Sequence, residues 1–431
     1  MLPNLLYIFS KIDKNYQMKK FPFLVFLLLL TLAPSIIAQV KLGIDVLEEN
    51  GFHCLKGKRV GLLTHPAGVN SKGQSTVDIL YNNKGVKLVA LFGPEHGIYG
   101  NEKAERTIAD CIDQKTGLPV YSLYGTHRRP SAQMLQKIDA MVIDLQDIGT
   151  RSYTYVSCMC YTMEECFKHN VEVIVLDRPN PLGGSKVDGP IMEKEWRSYV
   201  GALPIPYVHG LTVGEIAWAC KTEPDWLTIS KSIRDQGKLT IIPMRGWNRS
   251  MLWPKTGLQW VPTSPAITSF DSALGYPLTG LGCQLGGFLH GYGTEDPFRL
   301  LSFPNKKSTC LEKVLKAKKI PGIAFESKKS FNPNSKKYHE GLYVKIYNFN
   351  TWNPTELSFH LMQIACQWHE NNPFSCESSS NINLFNKHVG STEWWKAIST
   401  NGSKVDLKHF LKLWKKQAVE FQSWSRQYWL Y

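Results

Sequence analysis

The sequence is poor in the usual marks of catalysis and of nucleic-acid binding, and each absence closes a route. No GxGxxG follows the first candidate strand, and Gly93-Pro-Glu-His-Gly-Ile-Tyr-Gly100 has the wrong spacing for one, so nothing argues for a dinucleotide. There is no GxSxG, and no SxxK with a suitable partner, which leaves a serine nucleophile unsupported. HExxH, HxH and paired CxxC spacings are missing too. Metal hydrolysis then rests only on a convergence of His65, His96, His209 and Asp144, and neither a metal nor a cofactor is expected. The formal charge is +14, yet the lysines are scattered, with short pairs such as Lys306-Lys307 and Lys415-Lys416 and no basic arm. Nucleic acid is not an expected partner, and the charge reads as a mild preference for acidic polymers or sugars. The ten cysteines show no framework spacing and read as buried free thiols, Cys158, Cys160 and Cys166 on one helix.

Long apolar runs are also lacking. A membrane span needs about 20 apolar residues, and Phe21 to Leu32 supplies about twelve, interrupted by Pro22 and Thr31. Lys19-Lys20 precedes that run, and Pro34, Ser35 and Ala38-Gln39 follow it. A basic, an apolar and a small-residue segment in that order predict a secretory signal peptide over residues 1–38, with an unused upstream start before Met18. The expectation is an exported, periplasmic or secreted protein beginning near Gln39, with no stable membrane anchor. No feature fixes an oligomeric state.

What is present is a globular chain of 431 residues, 43% hydrophobic and 20% charged. Apolar runs at Arg59–Thr64, Leu88–Phe92, Ala140–Asp144, Val171–Asp177 and Leu239–Pro243 alternate with helical spacing at Gln74–Tyr81, Met134–Ile138 and Tyr155–His169. The pattern predicts an α/β fold: a Rossmann-like, doubly wound parallel sheet domain over 41–262. The stretch Trp253 to Pro265, rich in Pro, Thr and Trp, marks the boundary. A smaller α+β auxiliary domain over 263–431 follows, with strand Gly341–Tyr347 and helices Glu356–Trp368 and Leu407–Trp424. Its Trp394, Trp395, Trp414, Trp424 and Trp429 read first as core or interface and second as a sugar-stacking platform.

Three strand ends deliver acids: Glu95, Asp144 and Asp177. Ligands of open α/β sheets bind beyond the carboxyl ends of the strands, so these are candidate catalytic groups. Glu95, next to His96 on a stiff Gly-Pro turn, is placed for the acid role, with Asp144 or Asp147 as second carboxylate. Arg151, Tyr153 and Tyr155 are candidates to clamp and stack a substrate. The alternative is that Asp144 or Asp147 caps a helix or pairs with Arg151. Arg178 and Asn180 sit on a rigid Pro/Gly loop, where Asp177-Arg178 could equally be a structural ion pair. In His209-Gly-Leu-Thr-Val-Gly-Glu215, Thr212 and Glu215 form a capping box, leaving His209 as the site candidate. The Gly-rich loop His290-Gly-Tyr-Gly-Thr294 adds His290, Tyr292 and Thr294.

Four motifs in register carry a resemblance: Gly93-Pro-Glu-His-Gly97, Asp144-Leu-Gln-Asp-Ile-Gly-Thr-Arg-Ser-Tyr-Thr-Tyr155, Asp177-Arg-Pro-Asn-Pro-Leu-Gly-Gly184 and His209-Gly-Leu-Thr-Val-Gly-Glu215. Together they resemble the exo-β-N-acetylmuramidases of the NamZ type, glycoside hydrolase family 171, formerly a domain of unknown function. The likeness implies an active site in a cleft between a Rossmann-like and an auxiliary domain. It also implies release of N-acetylmuramic acid from the non-reducing ends of peptidoglycan fragments, with Glu95 as the catalytic residue. Where the family pattern has Glu-Gly-Arg-Gly-Thr, this chain has His290-Gly-Tyr-Gly-Thr294, which bears on how the lactyl carboxylate is held; Arg151 or Arg178 would suit that group. The rivals are a muropeptide-binding protein without turnover and a wall hydrolase acting on an amide or ester.

Overall fold

Parallel strands buried on both faces need apolar side chains at nearly every position, and the runs read above supply them. The structure, a computed structural model, describes residues 39–100 and 109–431. The signal-peptide expectation falls on residues 1–38, outside the described ones. Strands β1 (Arg59–Thr64), β2 (Lys87–Gly93), β3 (Cys111–Ile112), β4 (Pro119–Ser122), β5 (Ala140–Asp144), β6 (Glu172–Leu176) and, after a two-stranded excursion β7 (Asp188–Ile191) and β8 (Pro206–Val208), β9 (Leu239–Ile242) are laid out by the chain. The main sheet has the order β3-β4-β2-β1-β5-β6-β9 and is parallel except for the edge pair β3–β4.

Central β1 pairs with β2 on one side and β5 on the other, in register Leu63↔Phe92 and Thr64↔Asp144. The order therefore reverses at β1, and the crevice that such a reversal opens lies at the carboxyl ends of β2, β1 and β5. One sheet face packs under the helix Gly43–Glu49 through Leu42, Ile44 and Leu47. The other packs under helices Tyr155–Lys168 and Val213–Thr222 through Met159, Met163 and Ile216. The second part is α+β, with an antiparallel sheet β10 (Leu300–Leu301), β12 (Lys337–Ile346) and β11 (Ile323–Asn332) in the order β10-β12-β11. Phe298, Phe421 and Tyr428 join the core of the first part, and residues Gln39–Tyr431 pack as one unit.

The tryptophans settle into packing rather than a platform. Trp394 and Trp414 are buried with Phe359, whose ring centroid lies 4.3 Å from that of Trp414. Trp395, Trp424 and Trp429 pack partly buried against the same cores. No helix among the described residues is long and apolar enough to cross a membrane.

Candidate active site

The turn after β2 is built to lift a side chain off the sheet. At Gly93 a Cβ would come within 2.9 Å of the backbone nitrogen of Ile98, so only glycine lets the chain double back here. His96 and Gly97 both take φ of 72°, a left-handed conformation that costs a residue with a Cβ about 1 kcal/mol or more. The Gly97 N–H closes the turn on the Pro94 carbonyl at 2.9 Å. Glu95 at the apex is half-buried, and one carboxylate oxygen accepts from the Thr154 hydroxyl at 2.7 Å. Thr154 stands immediately before the helix Tyr155–Lys168, which fixes its direction.

Around Glu95 lies a cavity of about 370 Å3, reached by His96, Tyr153, Tyr155, Tyr276, His290 and Tyr292. Its far wall, Ser264 to Ile267, is pinned by two tyrosines. The Tyr153 hydroxyl donates to Thr263 Oγ1 at 2.9 Å, and that of Tyr155 to the Thr263 carbonyl at 2.5 Å. Burial holds both phenols above their ordinary range and pushes Tyr276 up to about 12, so all three are neutral at neutral pH. His290 stacks on Phe298 with centroids 4.4 Å apart and planes at 11°. Burial brings its imidazole down to about 4, so it is uncharged at neutral pH. Glu95 is the one carboxylate among the described residues lining this cavity, and none of them is Lys or Arg.

Other expected site residues are used elsewhere. Asp144 is fully buried, accepting from Arg178 Nε at 2.5 Å and Nη2 at 2.9 Å and from Thr76 at 2.5 Å. Both Asp144 and Arg178 are thereby consumed in an internal pair, and neither faces the cavity. Arg151, expected as a substrate clamp, is committed inside the fold: its guanidinium donates to the carbonyls of Pro190, Ile205, His388 and Val389, tying the two parts of the chain together. Asn180 bridges the Leu211 carbonyl and the Leu182 N–H, and a Cβ at Gly149 would meet its side chain at 2.3 Å. Thr294 bonds within its own turn, to the Gly291 carbonyl.

Asp147 and His209 form a buried couple behind the tyrosines. Asp147 Oδ2 accepts from the Gly149 N–H at 2.7 Å and lies 3.4 Å from His209 Nε2. The Leu211 N–H donates to His209 Nδ1, which puts the imidazole proton on Nε2, toward Asp147. Asp147 does not line the cavity and is no second carboxylate within it. The suggested convergence on a metal is not formed, since His65 accepts from the Gln146 N–H and Asp144 is held by Arg178. Among the described residues no three His, Cys, Asp or Glu side chains gather to hold an ion.

Thr154, Tyr276, Phe298 and the wall 264–267 were not singled out as site residues from the sequence. Thr154 stood inside a motif already quoted, and its place three residues after Arg151 could have drawn it in.

Models of the NamZ exo-β-N-acetylmuramidase match this chain in both halves, the N-terminal one over residues 60–271 and the C-terminal one over 274–431. The chain belongs to the NamZ family. A peptidoglycan β-N-acetylmuramidase NamZ from Bacillus subtilis is 37% identical over 397 residues, covering 91% of this chain and 92% of that protein. Two solved DUF1343 proteins from Bacteroides fragilis share the fold. One has a TM-score of 0.82 at 38% identity, covering 92% of this chain and 100% of its own. The other has a TM-score of 0.64 at 26% identity, covering 91% and 99%. NamZ enzymes are glycoside hydrolases, a chemistry that in its usual form pairs a carboxylic acid with a second carboxylate, and Glu95 is the carboxyl group that the described lining of this cavity supplies.

Proposed function

We propose that the chain is an exported exo-β-N-acetylmuramidase and that the Glu95 cavity is its active site. The carrying observation is that Glu95 is the sole carboxylate among the described lining residues and that Thr154 holds it through one oxygen. Glu95 donates its proton to the glycosidic oxygen as the C–O bond breaks. Water supplies hydroxide to the anomeric carbon and returns the proton, so one water is consumed per bond. Tyr153 and Tyr155, their hydroxyls spent on Thr263, hold the cavity wall in place, and Tyr276 lines it with a neutral phenol. The substrate class, peptidoglycan, is taken from the name of the Bacillus subtilis relative, action on a terminal N-acetylmuramic acid from the family's exo-β-N-acetylmuramidase description, and export from the sequence of residues 18–39.

The test is turnover of a chromogenic β-N-acetylmuramide by wild type and Glu95→Gln, beside the matching β-N-acetylglucosaminide. Hydrolysis of the muramide alone, lowered in the variant by about 100-fold or more, is the expected outcome. Equal turnover by Glu95→Gln would remove Glu95 from the chemistry, and tight binding without turnover by wild type would make the protein a muropeptide-binding module.

A further inference from the structure

N-acetylmuramic acid differs from N-acetylglucosamine by a lactyl ether that carries a carboxylate. An enzyme selecting it needs a cation nearby, yet no Lys or Arg stands among the described residues of the cavity wall. Arg151 and Arg178 are both committed internally, as shown above. The loop after β4 offers another. Gly93 pairs with Ser122, and the Leu123 N–H donates to the Gly93 carbonyl at 2.8 Å, so the chain leaves β4 beside the Glu95 turn.

Five residues on, Arg128 lies over two aromatic rings, its guanidinium carbon 4.8 Å from the Tyr199 centroid and 5.9 Å from that of Tyr124. The rings are themselves 5.8 Å apart and make a shelf. The shelf is fixed to the same loop start, since the Tyr199 hydroxyl donates at 3.3 Å to the carbonyl of Leu123, the residue whose N–H bonds to Gly93. Arg128 is exposed and has no carboxylate partner among the described residues, whereas Arg129 next to it is paired with Glu164 and Glu165. A guanidinium stacked on a ring keeps its N–H groups in its own plane, pointing outward in the fork that fits a carboxylate.

We propose that Arg128, carried on the Tyr124–Tyr199 shelf, pairs with the lactyl carboxylate of the sugar whose glycosidic oxygen Glu95 protonates. The inference rests on the muramidase reading and names the residue that gives it selectivity. Arg128 is a specificity residue, outside the proton transfer.

Two measurements test it. The first is kinetics of wild type, Arg128→Gln and Arg128→Lys on the chromogenic muramide and on its lactyl methyl ester, which is neutral and larger by one methyl group. Arg128→Gln should raise KM for the acid about tenfold, the size of one exposed charge-assisted contact, and bring the acid-over-ester preference close to one. Arg128→Lys should recover part of the preference. An equal effect on acid and ester, or none, overturns the proposal. The second is calorimetric binding of free N-acetylmuramic acid and N-acetylglucosamine. Wild type that binds the first but hydrolyses no muramide refutes the hydrolase reading alone, and weaker binding by Arg128→Gln still supports Arg128. Wild type that does not distinguish the two sugars overturns the Arg128 assignment.

Discussion

Replacing Arg151 with methionine separates a clamp from a staple. The side chain is 2% exposed and donates four bonds of 2.8 to 3.3 Å to backbone carbonyls, two of them at His388 and Val389. Burial drags its guanidinium down to about 9, so at neutral pH it is still a cation. Methionine keeps most of the volume but takes a donor from each of the four carbonyls, of which that of Ile205 keeps a second, the Met192 N–H; each carbonyl left bare costs about 1–3 kcal/mol. Against that stands the relief of removing a desolvated charge, several kcal/mol. The net expectation is a loss of roughly 3 kcal/mol. With an unfolding entropy of about 2 cal/mol/K per residue, a chain of this size loses roughly 1 °C per kcal/mol, so Tm should fall by about 3–5 °C. The assay is differential scanning calorimetry paired with muramide kinetics well below the melting transition. A lowered Tm with unchanged KM is the staple. Unchanged Tm with KM raised about tenfold or more would refute the structural assignment and restore Arg151 as a substrate ligand.

Further outcomes follow from buried groups. Asp177 is fully buried, and burial raises its carboxyl to about 6 from 3.8, although Gly214, Thr212 and Tyr431 donate to it and pull the other way. The native state thus holds the extra proton between these values, so stability is greatest below the lower one and falls as pH rises through the upper, by roughly 3 kcal/mol. Urea midpoints from about pH 4 to 7 should show this fall in wild type and not in Asp177→Asn; parallel curves would contradict it. His290 is neutral and stacked, so His290→Phe should keep muramide KM within about threefold, and a 100-fold loss would show that the imidazole itself is used. Cys111, Cys310 and Cys376 are exposed while Cys158, Cys160, Cys166 and Cys220 are buried. A thiol reagent should label the first group in the native protein and the second only in denaturant, with fast native labelling of Cys160 as the refuting result.

Legibility from sequence followed burial. β5 and β6 are buried nearly end to end, so each appears as a short apolar run whose length and β-branched residues mark it as a strand. β4, with Val120 and Ser122 inward and Pro119 and Tyr121 half-exposed, is too short for its alternation to register, and its edge partner β3 is exposed at both residues. In the candidate site, Glu95, His96, Tyr153, Tyr155, His290 and Tyr292 were readable as polar groups on stiff turns. That Asp144 belongs to Arg178 was not, because a partner 34 residues away is a tertiary fact. The stretch around Thr263, read as a boundary, is also the anchor for two site tyrosines.

The strand-end acids show why charge density alone does not locate chemistry in such a sheet. Asp144 ends β5 and Asp177 directly follows β6, and both are fully buried. Asp144 holds Arg178, which reaches on to the Val69 carbonyl, and Asp177 receives the N–H of Gly214 and the hydroxyl of Thr212. They are anchors that stiffen the crevice floor. Glu95 differs by its turn and not by its chemistry. Gly93 permits the reversal, Pro94 ends the strand, and two consecutive left-handed residues carry the carboxylate clear of the floor and into the cavity. The strain at His96 is therefore the feature that separates the acid facing a ligand from those that hold the site together. Relaxing it by deleting one turn residue should bury Glu95 in the manner of its neighbours.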